Sequence, residues 1–346
     1  MKRNDFYRID AGEKETIFQA ISNQTGMPAF AVEKDWWVTQ TLAIIFEMDT
    51  SEHLVFKGGS SLSKAWKLIE RFSEDIDLAI DRGFLGFTGD LSKKQRTALR
   101  KAAGTYTSEK FFEELSIRFS KKGFRDASLS VVPAKESDQD PRIIEVHYPN
   151  IIPTPGYLLP KVQIEIGCRS LREPFTIRTF GSLVDEVYPD KAFAQPLINI
   201  PTVDAERTFL EKIFLLHEEF HRPINKIRVN RLSRHLYDIY RLSRTEAANR
   251  ALHHQALYET IVEHRYRFSK VGGVDYNDLN PERVDPMPHP EVISAWGEDY
   301  KKMLEEMIYE EDPPSFAMLI KNIDELKGKL KGVGWKFSLK FPMAQK

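Results

Sequence analysis

Residues 54–80, LVFKGGSSLSKAWKLIERFSEDIDLAI, admit few folds. The short apolar run Leu54–Phe56 reads as a strand, and Gly58 and Gly59 follow it at once, as expected where backbone must pass close to a ligand or another chain segment. From Leu62 through Ala65, Trp66 and Ile69 the apolar residues recur at three- and four-residue spacing, which predicts an amphipathic helix capped by Ser60. A helix N-terminus placed there attracts phosphate. In Asp75-Ile76-Asp77-Leu78-Ala79-Ile80 the period changes to two, so Asp75 and Asp77 share one strand face and Ile76, Leu78 and Ile80 the other.

Two carboxylates on alpha carbons about 7 Å apart along a strand and pointing the same way repel each other at neutral pH. A divalent cation removes that conflict, and magnesium, shared between carboxylates and substrate phosphates, is the economical choice. A third acid is found in Lys161-Val162-Gln163-Ile164-Glu165-Ile166, where Val162, Ile164 and Ile166 make one face and leave Lys161, Gln163 and Glu165 on the other. Glu145 and Glu173 are alternatives for that third position. Three acids on two strands beside a glycine turn suit in-line nucleotidyl transfer, with two metals roughly 3.5 to 4 Å apart bridging the acids and the triphosphate. In this reading Asp75 and Asp77 hold both metals, Glu165 helps bind one, and Gly58, Gly59 and Ser60 hold the phosphates.

Around this centre, helices are expected at 12–25, 30–48, 91–103 and 107–121, and a hairpin at 127–133 and 142–149. A further strand lies within 175–188, and Pro196–Pro201 marks a domain boundary. Helices follow at 203–221, 230–244, 246–268, 290–309 and 314–329, with a polar loop from Gly272 to Pro290. The expected domains are therefore 1–200 and 201–346. On the 203–221 helix, Phe209, Ile213, Leu216 and Phe220 form the buried stripe and Lys212 falls at its rim, within reach of a triphosphate. On the next helix Arg231, Arg234 and Asp238 share a face, so Arg234 is a candidate phosphate grip with Asp238 holding it. Taken singly, Lys212 and Arg234 also read as plain salt-bridge partners.

Composition narrows the function by exclusion. Fifty Lys and Arg nearly cancel 51 Asp and Glu, so net charge argues for neither nucleic acid nor membrane, and a polyanion site needs a local basic patch. Lys57, Lys64, Lys67, Arg71, Lys226, Arg228 and Arg231 are the candidates for it. The single cysteine, Cys168, has no nucleophile context and fits a buried small residue in a reducing cytoplasm. No signal peptide or membrane-length apolar run is present in the sequence, and the nine histidines lack metal-ligand spacing, so neither membrane nor zinc is assigned.

Several motifs in order carry a family resemblance. Phe56-Lys57-Gly58-Gly59-Ser60-Ser61-Leu62 with Arg71-Phe72-Ser73-Glu74-Asp75-Ile76-Asp77-Leu78 resembles the first motif of the AbiEii/AbiGii-type nucleotidyltransferase toxins, members of the DNA polymerase beta-like superfamily. Lys161–Glu165 is similar to their second motif, Glu206–Lys212 to the third and Ser233–Asp238 to the fourth, while Glu33-Lys34-Asp35-Trp36-Trp37 matches an N-terminal signature. Many members carry Arg-Asp where this chain has Arg234-His235. The resemblance spans about residues 30–245.

It implies an α+β fold, in which a polymerase beta-like nucleotidyltransferase lobe with a mixed sheet is joined to a helical C-terminal lobe that closes a nucleotide cleft. It also implies that Lys161 joins the nucleotide-binding set with Lys212, Arg234 and Asp238. The implied activity is magnesium-dependent transfer of a nucleotide from an NTP to RNA, plausibly a tRNA 3' end, by a cytoplasmic toxin of a toxin–antitoxin or phage-defence system. A neighbouring gene for a winged-helix antitoxin is expected with it. A monomer is expected because no coiled-coil seam is seen. Two other readings stand beside this one: a small-molecule or protein hydroxyl as acceptor, or a degenerate nucleotide-binding scaffold that works through a partner. The signature Glu33–Trp37 also reads, from composition alone, as an amphipathic helix with a charged face and two core tryptophans.

Overall fold

A seven-stranded mixed sheet, in the order β3-β4-β5-β2-β1-β7-β6, organises the N-terminal part of the chain. Its strands are β1 (Leu54–Lys57), β2 (Asp75–Ile80), β3 (Ser128–Val131), β4 (Arg142–His147), β5 (Lys161–Gly167), β6 (Phe175–Phe180) and β7 (Ile198–Val203). The structure, a computed structural model, describes residues 5–73, 75–154 and 159–342. It divides into two units, one of residues 1–66 and 72–203, the other of residues 67–71 and 204–346.

Period-two patterning sets the sheet register. Ile76, Leu78, Ile144, Val146, Val162 and Ile164 are fully buried, whereas their neighbours Asp75, Asp77, Gln163 and Glu165 are half-buried. The centre of the sheet is built by β2, which pairs antiparallel with β1 and parallel with β5. Antiparallel pairs β3–β4 and β6–β7 flank it, the first being the expected hairpin. The stretch 196–201, expected as a boundary, overlaps the start of β7, and the main run of the second unit begins at Asp204. Of the expected strand within 175–188, residues Phe175–Phe180 pair and Leu183–Val187 form a short helix capped by Ser182.

The helix Ala29–Ile45 packs on β2 and β5. It is buried on nearly every side rather than amphipathic, and the charged face expected at Glu33 and Lys34 is inside, at 2% and 3% exposure. Trp36 and Trp37 sit edge to face in an aromatic core with Phe6, Tyr7, Phe124 and Tyr148.

The amphipathic helix expected across 60–69 is shorter. Gly58–Ser60 is α-helical, Ser61–Ala65 widens to a π-turn, and Lys67 at φ +54° ends the run in the left-handed region. Ser60 does not cap it, since the helix begins at Gly58. From Lys67 to Arg71 the chain belongs to the helical unit, where Arg71 bridges to Ile308 and the Glu70 carbonyl accepts from the Tyr309 N–H at 3.1 Å.

The helical unit is built on the helix Ala205–Phe220, whose stripe of Phe209, Ile213, Leu216 and Phe220 is buried as its spacing predicts. Helices Arg234–Leu242, Glu246–His253 and Gln255–Phe268 pack against it, and Ile293–Glu306 and Phe316–Lys331 complete the unit. The single helix expected at 246–268 is broken at His254.

Candidate active site

Strand register brings the predicted acids together. Across the sheet, Lys57 lies opposite Asp77, Asp77 opposite Glu165 and Glu165 opposite Ile143, and one row along Asp75 lies opposite Gln163 and Gln163 opposite Glu145. Cross-strand partners point to the same face. Asp75, Asp77 and Glu165 therefore share it, with Lys161 at its start. Glu145 lies one strand further out, tied to Lys161 Nζ at 2.5 Å and to His147 Nε2 at 3.2 Å. Glu173 precedes β6, at the far edge of the sheet from β4. Register thus separates the three candidates for the third acid, and Glu165 is the one beside Asp77.

Partners already surround these acids. Glu165 Oε1 accepts from Gln163 Nε2 at 2.9 Å, and Lys57 Nζ stands 4.0 Å from Asp77 Oδ1. Gly58 is held at φ +79°, and a Cβ added there would come within 2.0 Å of Asp77 Oδ2. No other residue type leaves room for that carboxylate. Ser60 is 2% exposed, and its hydroxyl lies within hydrogen-bonding distance of the Asp75 carbonyl and 2.9 Å from Ser73 Oγ. Its visible work is to fix the backbone where β2 begins, not to present a hydroxyl to solvent. Gly59 is half-buried beside it.

The donor set is all carboxylate oxygen, the chemistry a hard cation takes, and the missing Cβ of Gly58 makes room for the Asp77 carboxylate itself. Among the described residues no three His, Cys, Asp or Glu side chains converge closely enough to hold a metal ion. The acids are in register on one face, with Glu165 turned to Gln163 and Asp77 facing Lys57. Their type, carboxylate oxygen, is the kind that a hard cation such as magnesium takes.

In the helical unit, Asp238 is fully buried and its carboxylate takes two cations. Arg71 meets it as a fork, Nε to Oδ1 at 2.6 Å and Nη2 to Oδ2 at 2.8 Å, and Lys212 Nζ approaches Oδ2 at 2.7 Å. Burial alone would raise the Asp238 carboxyl, but Arg71 and Lys212 outweigh it and hold the group below the usual carboxylate range. Burial lowers the Lys212 ammonium, opposed by Asp238. His235 is pushed well down by burial and then by Lys212 and Arg234, so it is a neutral ring whose Nδ1 faces Lys212 Nζ at 3.4 Å and must accept. Lys212, expected at the rim of its helix, is 7% exposed, while Arg234 is half-buried at the start of its own helix.

Two members of the expected basic patch are not on the surface: Arg71 is 2% exposed and the Lys64 side chain 8%, each bound to a carboxylate. Arg228 is held by Glu219. Cys168 is buried, as expected, and burial followed by Asp140 raises its thiol. His217 and His221 stack at 3.9 Å, with His217 Nδ1 accepting from the Asp285 N–H at 3.0 Å. The charged residues Glu33, Lys34 and Asp35 are the part that periodicity missed, because each is satisfied by a segment far away in sequence.

A mixed sheet carrying a glycine turn and in-register acids on its open face describes a class, the nucleotidyltransferases. The family model "Nucleotidyl transferase AbiEii toxin, Type IV TA system" matches residues 41–322, and the chain belongs to that family. It is a nucleotidyltransferase toxin of a type IV toxin–antitoxin system. Among solved structures the chain is similar to MenT4, a nucleotidyltransferase toxin from Mycobacterium tuberculosis H37Rv, with 16% identity and a TM-score of 0.45, over 91% of this chain and 98% of that one. No curated protein matches it in sequence. No helix among the described residues is long and apolar enough to cross a membrane.

Proposed function

We propose that this toxin transfers a nucleoside monophosphate from an NTP to RNA, with a tRNA 3' end as the acceptor, and that the reaction is centred on Asp75, Asp77 and Glu165. The observation that carries the reading is the register of β1, β2 and β5, which lines up Lys57, Asp77 and Glu165 in one row and Asp75 in the next. Those three acids would hold two magnesium ions. Bound there, the ions would neutralise the acids and the triphosphate and favour ionisation of the attacking hydroxyl.

The chain's own contribution is placement. Gly58 and Gly59 allow backbone to approach the phosphates, and Ser60 fixes the start of β2 so that Asp75 faces them. Lys57 lies beside Asp77, and Lys161 is oriented by Glu145 on the same face as Glu165. Lys212, Arg234 and Asp238 are assigned to nucleotide binding on the resemblance and their helix spacing. The same resemblance supports a cytoplasmic monomer in phage defence, neutralised through a winged-helix antitoxin from a neighbouring gene.

The test supplies each labelled NTP with magnesium and total RNA. Label is expected on RNA of tRNA size, is lost on chelation, and falls by about 10³-fold in Asp75→Ala and Asp77→Ala. Label on no RNA, or equal labelling by the variants, overturns the proposal.

A further inference from the structure

The helix Ala29–Ile45 carries three consecutive charged residues, Glu33 and Lys34 buried and Asp35 half-buried, and each one reaches a segment that leads into the candidate site. Glu33 accepts from two backbone N–H groups of the β4–β5 connection, Ile151 to Oε1 at 2.8 Å and Ile152 to Oε2 at 2.9 Å. Lys34 Nζ donates to the Leu159 carbonyl at 3.4 Å, the same carbonyl that accepts from the Lys161 N–H at 2.8 Å where β5 begins. The same ammonium lies 5.8 Å from the ring centre of Phe72, three residues before Asp75. Asp35 Oδ1 meets Lys64 Nζ at 2.5 Å, on the turn that follows Gly58 and Gly59, while Oδ2 accepts from the Leu183 N–H at 2.8 Å.

Helix geometry explains how neighbours in sequence reach separate places. Successive residues are turned by about 100°, so three in a row fan across more than half the helix circumference. On a surface helix such a run would lie partly in water. Here the helix is buried nearly all round, so the three side chains leave in three directions and each meets backbone or charge.

Burying charged groups is a costly way to hold a helix, since each loses several kcal/mol of hydration that only good partners offset. Apolar residues would fill the same volume without that penalty. The three contacts converge on the segments that deliver Glu165, Asp75 and the glycine turn. We propose that Glu33, Lys34 and Asp35 are positioning residues for nucleotidyl transfer, a three-way clamp that sets β5, the approach to β2 and the glycine turn against one another. This rests on the assignment of Asp75, Asp77 and Glu165 as the reacting centre.

Two isosteric variants of the full-length protein separate the arms. Asp35→Asn keeps the hydrogen bond to Leu183 and removes the charge that holds Lys64. Glu33→Gln weakens the hold on Ile151 and Ile152. Amide hydrogen exchange is read segment by segment, together with kcat and KM for magnesium and each NTP. Asp35→Asn is expected to speed exchange in 58–66 alone and raise KM about tenfold with kcat nearly unchanged. Glu33→Gln is expected to speed exchange in 151–152 and at the start of β5, and to lower kcat about tenfold with KM nearly unchanged. The double variant Asp35→Asn with Lys64→Met should be no worse than either single change.

Faster exchange spread evenly over the unit, or wild-type exchange and kinetics in both variants, overturns the clamp. If the wild-type protein transfers nothing, the assigned reaction fails and the positioning claim falls with it. The exchange pattern still shows whether the three segments are held separately.

Discussion

The sheet face around Asp77 and the cluster around Asp238 both gather charge, and they leave it in opposite states. Asp77 keeps 26% of its side chain exposed, with its nearest cation 4.0 Å away. Asp238 is sealed at 0%, forked by Arg71 and touched by Lys212. An exposed, loosely paired carboxylate can exchange its partner for a metal or a substrate at little cost to the fold. A sealed one is committed, and its removal strands the cations that it serves. Similar ingredients thus make a half-exposed, loosely paired acid face in one unit and a sealed ion cluster in the other.

The contrast is broken most directly by removing each acid in turn. Asp238→Ala is expected to lower the unfolding free energy by about 3–5 kcal/mol, read from urea midpoints, because Arg71 and Lys212 stay buried without their carboxylate. Asp77→Ala should move stability by no more than about 1 kcal/mol in either direction while removing transfer. Equal losses of stability would erase the distinction.

Acid sharpens it next. Burial, then His221, pushes the His217 imidazole down to about 3, whereas the unfolded chain titrates near the ordinary value of 6.5. Between those values the unfolded state binds a proton that the folded state refuses, so stability falls as pH falls through 6.5. Going from pH 6.5 to 5 should cost about 2 kcal/mol from this residue, and His217→Gln should flatten the slope of urea midpoint against pH. An unchanged slope would mean that the ring takes up its proton while folded.

The smallest effect concerns the open face. Gly58→Ala sets a methyl group 2.0 Å from Asp77 Oδ2 at φ +79°, which should cost about 1–2 kcal/mol of stability. Transfer should fall about tenfold or more, because the carboxylate must turn away. A fully active Gly58→Ala protein would separate Asp77 from the reaction.

Much of the open face was legible in the sequence. Period two along Asp75–Ile80 and Lys161–Ile166 sorts acids from core residues, and only pairing register was needed to place Glu165 beside Asp77. The sealed charges were not. Spacing from Leu62 to Ile69 predicts a continuous helix, yet Lys67 turns left-handed and Arg71 bridges to Ile308. Local periodicity sees Arg71, Lys64 and Glu33 as exposed charge, because the partner that permits burial lies 167 residues away for Arg71 and 29 for Lys64. The Pro196–Pro201 stretch, expected as a boundary, lies just before the division at Val203 and Asp204, and what its prolines did not reveal is that part of it pairs with β6 as a strand.

The crossing at residues 67–71 has a consequence for how the protein is made. Arg71 leaves the ribosome 167 residues ahead of Asp238, the acid that neutralises it. Throughout that interval the nascent chain holds a guanidinium that has no place yet to be buried, between two strands, β1 and β2, that pair with each other. A product ending before Asp238 would carry the glycine turn and the acids of the sheet but leave this cation unmatched. The Arg71–Asp238 fork can therefore form only once the chain has reached the helical unit, so the 67–71 segment takes its place late in folding, well after the strands on either side of it are synthesised.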